Sequence, residues 1–304
     1  TDSIEVGAAN WTPKMLEHFK TRRGYDPTPY LPALTGVIVG SRAQSDGFLF
    51  DYRLTLSELM ASEHYATVAE VAHEHDLKVY GEALETIRFA MGDDFDMRRY
   101  ADIPMSAMWT YPEGANLQKA YQADMKGAAS VANFYGKQFA AAESMTSVLN
   151  PWADVPENLK RVVDFELVNG INRLVIHTSV HQPTDDKQPG LSLFVFGQYF
   201  NRHETWAEMA GAWIDYISRA SFLMQQGESV ADVAYFYGEE TPIIGLAIED
   251  RLTGRPTRYG YDFVSANALL NDVRVEQGML IAPSGARYRV LYLGGNSDKI
   301  SLQM

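Results

Sequence analysis

Short apolar runs, each closed by a polar or acidic residue, recur between residues 77 and 183, and helix-like segments separate them. LKVYGEALE carries Glu82 at the end of its run, IPMSAMWTYPE carries Glu113, KQFAAAESMTS carries Glu143 and RLVIHTSVHQP carries His177. Runs of this length, flanked by polar residues, are read as buried strands. Strand, polar tip and helix in repetition is how a parallel β/α barrel offers chemistry at the C-terminal ends of its strands. The strands are expected at Leu77–Tyr80, Ile103–Trp109, Gln138–Ala142 and Arg173–Ile176.

The intervening segments follow helical spacing. Asn10 to Arg22 is expected as a helix opened by Thr12-Pro13 and stopped by Gly24, with Met15, Leu16 and Phe19 on one face. GYDPTPYLPALTG is too dense in proline for a regular element and is expected as an ordered loop. Leu56, Leu59, Met60, Val68, Val71 and Ala72 make one stripe of a helix from about Asp51 to His75. Helices are also expected at Leu117–Val131 and Pro156–Gly170, and a closing helix carries Trp206, Met209, Trp213, Ile217, Ala220 and Met224 on one face. The pattern changes near Gln226-Gly227-Glu228. Beyond it, Val230–Phe236 is a strand, FVSANALLND is helix-like, and Leu269 to Tyr292 holds short strands between Gly and Pro. The expected organisation is therefore α/β: residues 1–227 as barrel units and residues 228–304 as the opening of a second α/β domain.

Composition narrows the partners. A chain of 304 residues with 46% hydrophobic content has enough apolar side chains for a substantial core. Its net charge of -13, with no run of Lys and Arg, opposes a nucleic-acid footprint. No apolar stretch approaches membrane-spanning length, so no membrane partner is expected. With no cysteine, thiolate metal sites and cysteine nucleophiles are excluded. GxGxxG, GxxxxGK[ST] and GxSxG patterns are absent, which removes the sequence case for a dinucleotide fold, a P-loop and a serine elbow. TDSIEVG at the start lacks the charge and apolar stretch of an export signal, and both ends read as interrupted elements. The chain is thus expected to be a piece of a longer polypeptide, whose remaining N- and C-terminal parts would be its partners.

Glu5 and Glu143 are the candidate catalytic pair, because glycosidic cleavage needs one carboxyl to protonate the leaving oxygen and another to activate water or attack the anomeric carbon. A strand-tip glutamate is equally suited to a structural hydrogen bond. Glu82 and Glu113 sit at equivalent heights and could bind sugar hydroxyls or a hard divalent cation, with a salt bridge as the alternative. Glu85 lies farther out and reads as solvated. His177 and His181 are four apart, but on a post-strand segment ending in Pro rather than on a helix, so a sugar contact suits them better than zinc. Trp109, Tyr111 and Trp206 could form a platform for a sugar ring, with core packing as the alternative for Trp206.

DSIEVGAANWTPKMLEHFKTRRGYDPTPYLPALTG, HYATVAEVAHEHDLKVYGEA, MWTYPEG, AAESMTS, HTSVHQP and FGQYFNRHETW, in this order, resemble the catalytic region of the α-L-rhamnosidases of glycoside hydrolase family 106. The resemblance covers most of residues 1–227. It implies a (β/α)8 barrel that removes terminal α-L-rhamnose with inversion from a rhamnosylated glycan or glycoside, with calcium at the sugar site. Glu5 would be the general acid, Glu143 the general base, and Glu113 a contact to calcium or sugar. With Glu5 closing strand 4, the four expected strands would then be strands 5 to 8 of the barrel, and residues 228–304 the start of a flavodoxin-like domain. A periplasmic or extracellular location is implied by the same resemblance. A retaining β-galactosidase-type barrel and a non-catalytic carbohydrate-binding barrel are the competing readings.

Overall fold

The computed structural model describes residues 3–4, 10–84, 92–111, 119–256 and 258–304. The first helix, α1 (Met15–Arg23), buries Met15 and Phe19 and stops at Gly24, whose left-handed φ of 81° lets its N–H return to the Lys20 carbonyl. Leu16 faces outward instead of joining the buried face. The proline-rich stretch is not an irregular loop. Thr28–Thr35 forms a 3-10 helix, because Pro29 supplies its fixed φ in the first turn and Gly36 closes the end in the left-handed region. Helix α2 (Arg42–Leu59) begins well before the expected start, where the Ser41 side chain caps it by accepting from the Gln44 N–H. It continues through a π turn at Met60–Tyr65 into α3 (Ala66–Glu74), and this wider turn rotates the apolar stripe so that Val71 is half exposed.

Four parallel strands follow in sheet order: β1 (Tyr80–Gly81), β2 (Ile103–Trp109), β3 (Ala141–Thr146) and β4 (Arg173–Ile176). Helix α4 (Asp94–Arg98) precedes β2, α5 (Lys119–Tyr135) joins β2 to β3, and α6 (Pro156–Val168) joins β3 to β4. Strand β2 has its expected bounds. Strand β1 starts three residues late, because the Val79 N–H is taken by the Asp102 carboxylate. Strand β3 also starts three residues late, the Ala140 N–H being taken by the Asn172 side chain, and it runs to Thr146. Glu143 therefore lies inside its strand and not beyond the end of it.

Beyond β4, a 3-10 turn at Ala207–Met209 leads into α7 (Ala210–Met224), which buries Trp213 and Ile217 while Met209 and Met224 are exposed. A second parallel sheet then forms from β5 (Val233–Phe236), β6 (Tyr261–Val264) and β10 (Val290–Leu293), in the order β10-β5-β6, with α8 (Ile243–Ile248) between β5 and β6. Phe263 and Val264 belong to β6, and Ser265 caps the short α9 (Ala266–Asn271), so ANALLN alone of FVSANALLND is helical. Strands β7 (Arg274–Glu276), β8 (Met279–Ile281) and β9 (Arg287–Tyr288) make a small antiparallel sheet. The fold is mixed α/β with parallel sheets.

Helix α5 joins the two parallel sheets. Its sequence is rich in Ala, Gly and Ser, and this lets neighbours approach it from opposite sides. Met125, Ala128 and Ala132 pack with Met108, Met145 and Val162 of the first sheet and its helices. Val131 and Phe134 pack with Tyr235 and Phe263 of the second, and with Tyr288 of the small antiparallel sheet. At Gly127 an added Cβ would stand 3.0 Å from an Arg98 guanidinium nitrogen, so a larger residue here would press on the buried guanidinium.

Arg98 is fully buried behind β2. Among the described residues, β1 pairs with β2 at Ile103 and Pro104, and no strand pairs with that edge of β2 farther along. Side chains complete the ladder. Arg98 Nε donates to the Met105 carbonyl at 2.9 Å, and the Ala107 N–H donates to Asp124 Oδ2 at 2.9 Å. Arg98 also pairs with Asp124 Oδ1 and lies 3.9 Å from Asp94, whose carboxylate accepts from the Ile243 and Ile244 N–H groups of α8. Burial pushes the Asp124 carboxyl up to about 6 despite the Arg98 charge.

Replacing Arg98 by Met should lower stability by about 3–5 kcal/mol, because it leaves two buried carboxylates without their cation. A fall in the urea midpoint, measured at neutral pH, checks this. An unchanged midpoint would show that the network is not what holds β2.

Candidate active site

Strands β2, β3 and β4 are in register, with Ala107, Glu143 and Val175 side by side. Their other faces point into the helix layer, where Met108, Ala142 and Leu174 pack. Near its end, β3 departs from strict alternation. Met108 pairs with Ser144 and Trp109 with Thr146, so Met145 is an extra residue, with a φ of 67°. A bulge of this kind re-aims the residues after it. Ser144 and Met145 both turn to the helix side, and Thr146 is delivered to the same face as Glu143.

The result is a compact polar cluster. Glu143 is about a quarter exposed, and its Oε1 accepts a 2.6 Å hydrogen bond from the Thr146 hydroxyl. Thr146 Oγ1 is also 3.2 Å from His177 Nδ1, while the direct distance from that nitrogen to Glu143 Oε1 is 3.9 Å. His177 follows β4, and backbone bonds fix it there: its N–H donates to the Ser144 carbonyl, and its own carbonyl accepts from the Gln198 N–H. The loops above the cluster are tied together as well. The Thr110 N–H donates to the Thr146 carbonyl, and the Arg161 guanidinium sits 4.5 Å from the Tyr111 ring centre. Desolvation raises the Asp154 carboxyl above its ordinary value, against the opposing Arg161 charge and a hydrogen bond from Thr110.

The other candidate residues are dispersed. Trp109 pairs with Thr146 across the strands and packs against Phe196 and Tyr121, half-buried near the cluster. Glu82 follows β1 as a buried residue, in the field of Arg98 and Tyr65. His181 is exposed on the loop that Gln182 anchors through two hydrogen bonds to Leu191. Trp206 lies in the hydrophobic core, edge-to-face with Phe200, so its structural environment is core packing and not an open platform. Glu5 and Glu113 lie outside the described residues, as does Glu85. Among the described residues, no group of three or more His, Asp or Glu could hold a metal ion.

Two neighbours of Glu143 escape sequence reading. Thr146 is three residues on, which in a regular strand would place it on the opposite face. Glu166 sits on the apolar side of α6 with Val162, Val163 and Leu167, and this misplaced acid is the signal that could have found it. It is fully buried behind β3, where Ser144 donates to its Oε2 at 2.8 Å and its Oε1 has no partner. Burial raises the Glu166 carboxyl well above its ordinary value. The strand thus separates two glutamates in contrasting settings: Glu143 faces solvent and a donor, while Glu166 is sealed.

The family model for α-L-rhamnosidases, glycoside hydrolase 106, matches residues 1–304. The chain belongs to this family. It is 60% identical to the rhamnosidase from Novosphingobium sp. PP1Y, whose structure it matches over 99% of its own length and 28% of that chain, with a TM-score of 0.94. A curated relative from Formosa agariphila, named as a β-glucuronidase, is 36% identical over 294 residues, 96% of this chain and 24% of that protein. The chain thus spans about a quarter of the length of these two relatives.

Glu166→Gln should leave folding at mildly acidic pH within about 1 kcal/mol of the parent, since the amide replaces a protonated acid. In the parent, a raised folded pKa means that stability from Glu166 is full below the unfolded value of about 4.3 and is lost as pH rises through the folded value. The amide removes that loss. Urea midpoints at mildly acidic and neutral pH should therefore diverge less in the variant than in the parent.

Proposed function

We propose that the polypeptide carrying this chain is a glycoside hydrolase that releases terminal α-L-rhamnose with inversion. The observation that carries this reading is the family match along the whole chain, joined to a half-buried Glu143 held by Thr146 on an exposed face of a parallel sheet. In this reading Glu143 is the general base. It takes a proton from water as the water oxygen attacks the anomeric carbon, the glycosidic bond breaks, and Glu5 gives its proton to the leaving oxygen. An inverting pair needs carboxyls roughly 6.5–9.5 Å apart to admit that water. His177 and Trp109, at the ends of neighbouring strands, are suited to contact the sugar.

The same reading takes strands β1 to β4 as the later strands of a (β/α)8 barrel, with Glu5 after strand four, and residues 228–304 as the start of a flavodoxin-like domain. The parallel order β1-β2-β3-β4 and the exposure of Arg173 and Val175 on the Glu143 face support it. Periplasmic or extracellular residence belongs to this proposal; no helix among the described residues is long and apolar enough to cross a membrane. Calcium is proposed through Glu113 alone. The described residues supply no cluster that would complete its ligand set, so no step is routed through the ion.

Glu143→Gln in the full polypeptide should lose at least ~100-fold in turnover on an aryl α-L-rhamnoside. Real-time NMR should show β-L-rhamnose as the first sugar released. Initial α-L-rhamnose would instead make Glu143 a nucleophile, as in the β-galactosidase-type alternative. Binding without turnover would support a carbohydrate-binding barrel.

Exhaustive chelation should reduce turnover, and added calcium should restore it. Full activity in protein shown by metal analysis to be calcium-free would remove the calcium proposal.

A further inference from the structure

Hydrogen counting around Thr146 leads to a statement about His177, one that rests on the reading of Glu143 as a base. A threonine hydroxyl has one proton to give and lone pairs to accept with, whereas an ionised carboxylate can only accept. In the resting base form of Glu143, the 2.6 Å contact must therefore be Thr146 donating to Oε1. Its proton is then spent. The 3.2 Å contact to His177 can only be Nδ1–H donating to the threonine oxygen. A neutral imidazole protonated at Nδ1 has a bare lone pair on Nε2. Among the described residues Nε2 makes no hydrogen bond, and the His177 side chain is about a fifth exposed on the Glu143 side of the sheet.

We propose that Thr146 is a positioning residue that holds His177 as the Nδ1-protonated neutral imidazole, so that Nε2 accepts a hydrogen bond from one hydroxyl of the bound sugar. The strand bulge at Met145 is what makes this possible, since only the extra residue brings the hydroxyl to the face of Glu143 and His177. The ligand class follows from the polarity of the acceptor. A hydroxyl can satisfy Nε2, whereas an ether, a carbonyl or a carboxylate at the same position cannot.

The test uses the full polypeptide and a set of aryl rhamnosides, each lacking one ring hydroxyl. Thr146→Val should lower kcat/KM on the parent substrate by roughly 10- to 100-fold, and Thr146→Ser, which keeps the hydroxyl, should stay within about 3-fold of the parent protein. His177→Ala should show a loss of similar size. On one of the deoxy substrates, the losses in Thr146→Val and His177→Ala should shrink to about 3-fold or less, because the hydroxyl that Nε2 would accept is already missing. Equal impairment of Thr146→Ser and Thr146→Val would overturn the proposal. So would the same loss in His177→Ala on every substrate. Should Thr146→Val fail to melt cooperatively, His177→Ala and Thr146→Ser still decide the question. Retained turnover in Glu143→Gln would sink the base assignment separately, while the hydroxyl pattern with His177→Ala would still report on His177.

Discussion

A single buried guanidinium holds together most of what positions the site. Arg98 lies where four elements converge: the Met105 edge carbonyl and the charges of Asp124 and Asp94 depend on it, and it fits because Gly127 leaves it space. Removing such a charge from water is costly, and two carboxylates with further backbone donors offset that cost. Through Asp124 the network fixes the β2 backbone at Ala107, the residue beside Glu143 in register. Through Asp94 it reaches the start of α8, so the first sheet and the C-terminal part of the chain are held by the same ion cluster.

Around Glu143 the chemistry depends on a small irregularity. A regular strand would send Thr146 into the helix layer and leave the carboxylate without its hydroxyl donor. The extra residue sends Met145 into the apolar layer instead, where it is fully buried. One backbone departure therefore improves the packing behind the strand and supplies a polar group in front of it. The sealed Glu166 on the far side shows what a glutamate becomes without solvent or a cation nearby.

Much of the scaffold was legible in the sequence because its signals are local. Ile103–Trp109 is apolar throughout apart from Ser106, is followed by helical spacing, and forms a strand over that range. Pro156 and Gly24 mark a helix start and a helix stop through φ alone. What could not be read depends on partners distant in sequence. The late start of β3 is set by Asn172, the π turn at Met60–Tyr65 is invisible to a 3.6-residue period, and the proline-dense Thr28–Thr35 tightens into a 3-10 helix. At the site, the type and strand of Glu143 and His177 were readable from apolar runs ending in polar residues. Thr146 was not, because alternation assigns it to the wrong face, and Trp206 precedes the helix whose apolar stripe it was expected to share, yet packs in the core.

The two-sided burial of α5 bears on how the molecule comes apart. Neither parallel sheet owns this helix: its Met125 and Ala128 complete one core, and its Val131 and Phe134 complete the other. Loss of the helix from either partner would open both interiors to water at once. The change of pattern at Gly227 therefore does not divide the packing, since one helix upstream of it contributes to both cores. A protease cut in the exposed turn near Gly227 would sever the chain without separating the two halves, because the helix that binds them lies a hundred residues upstream.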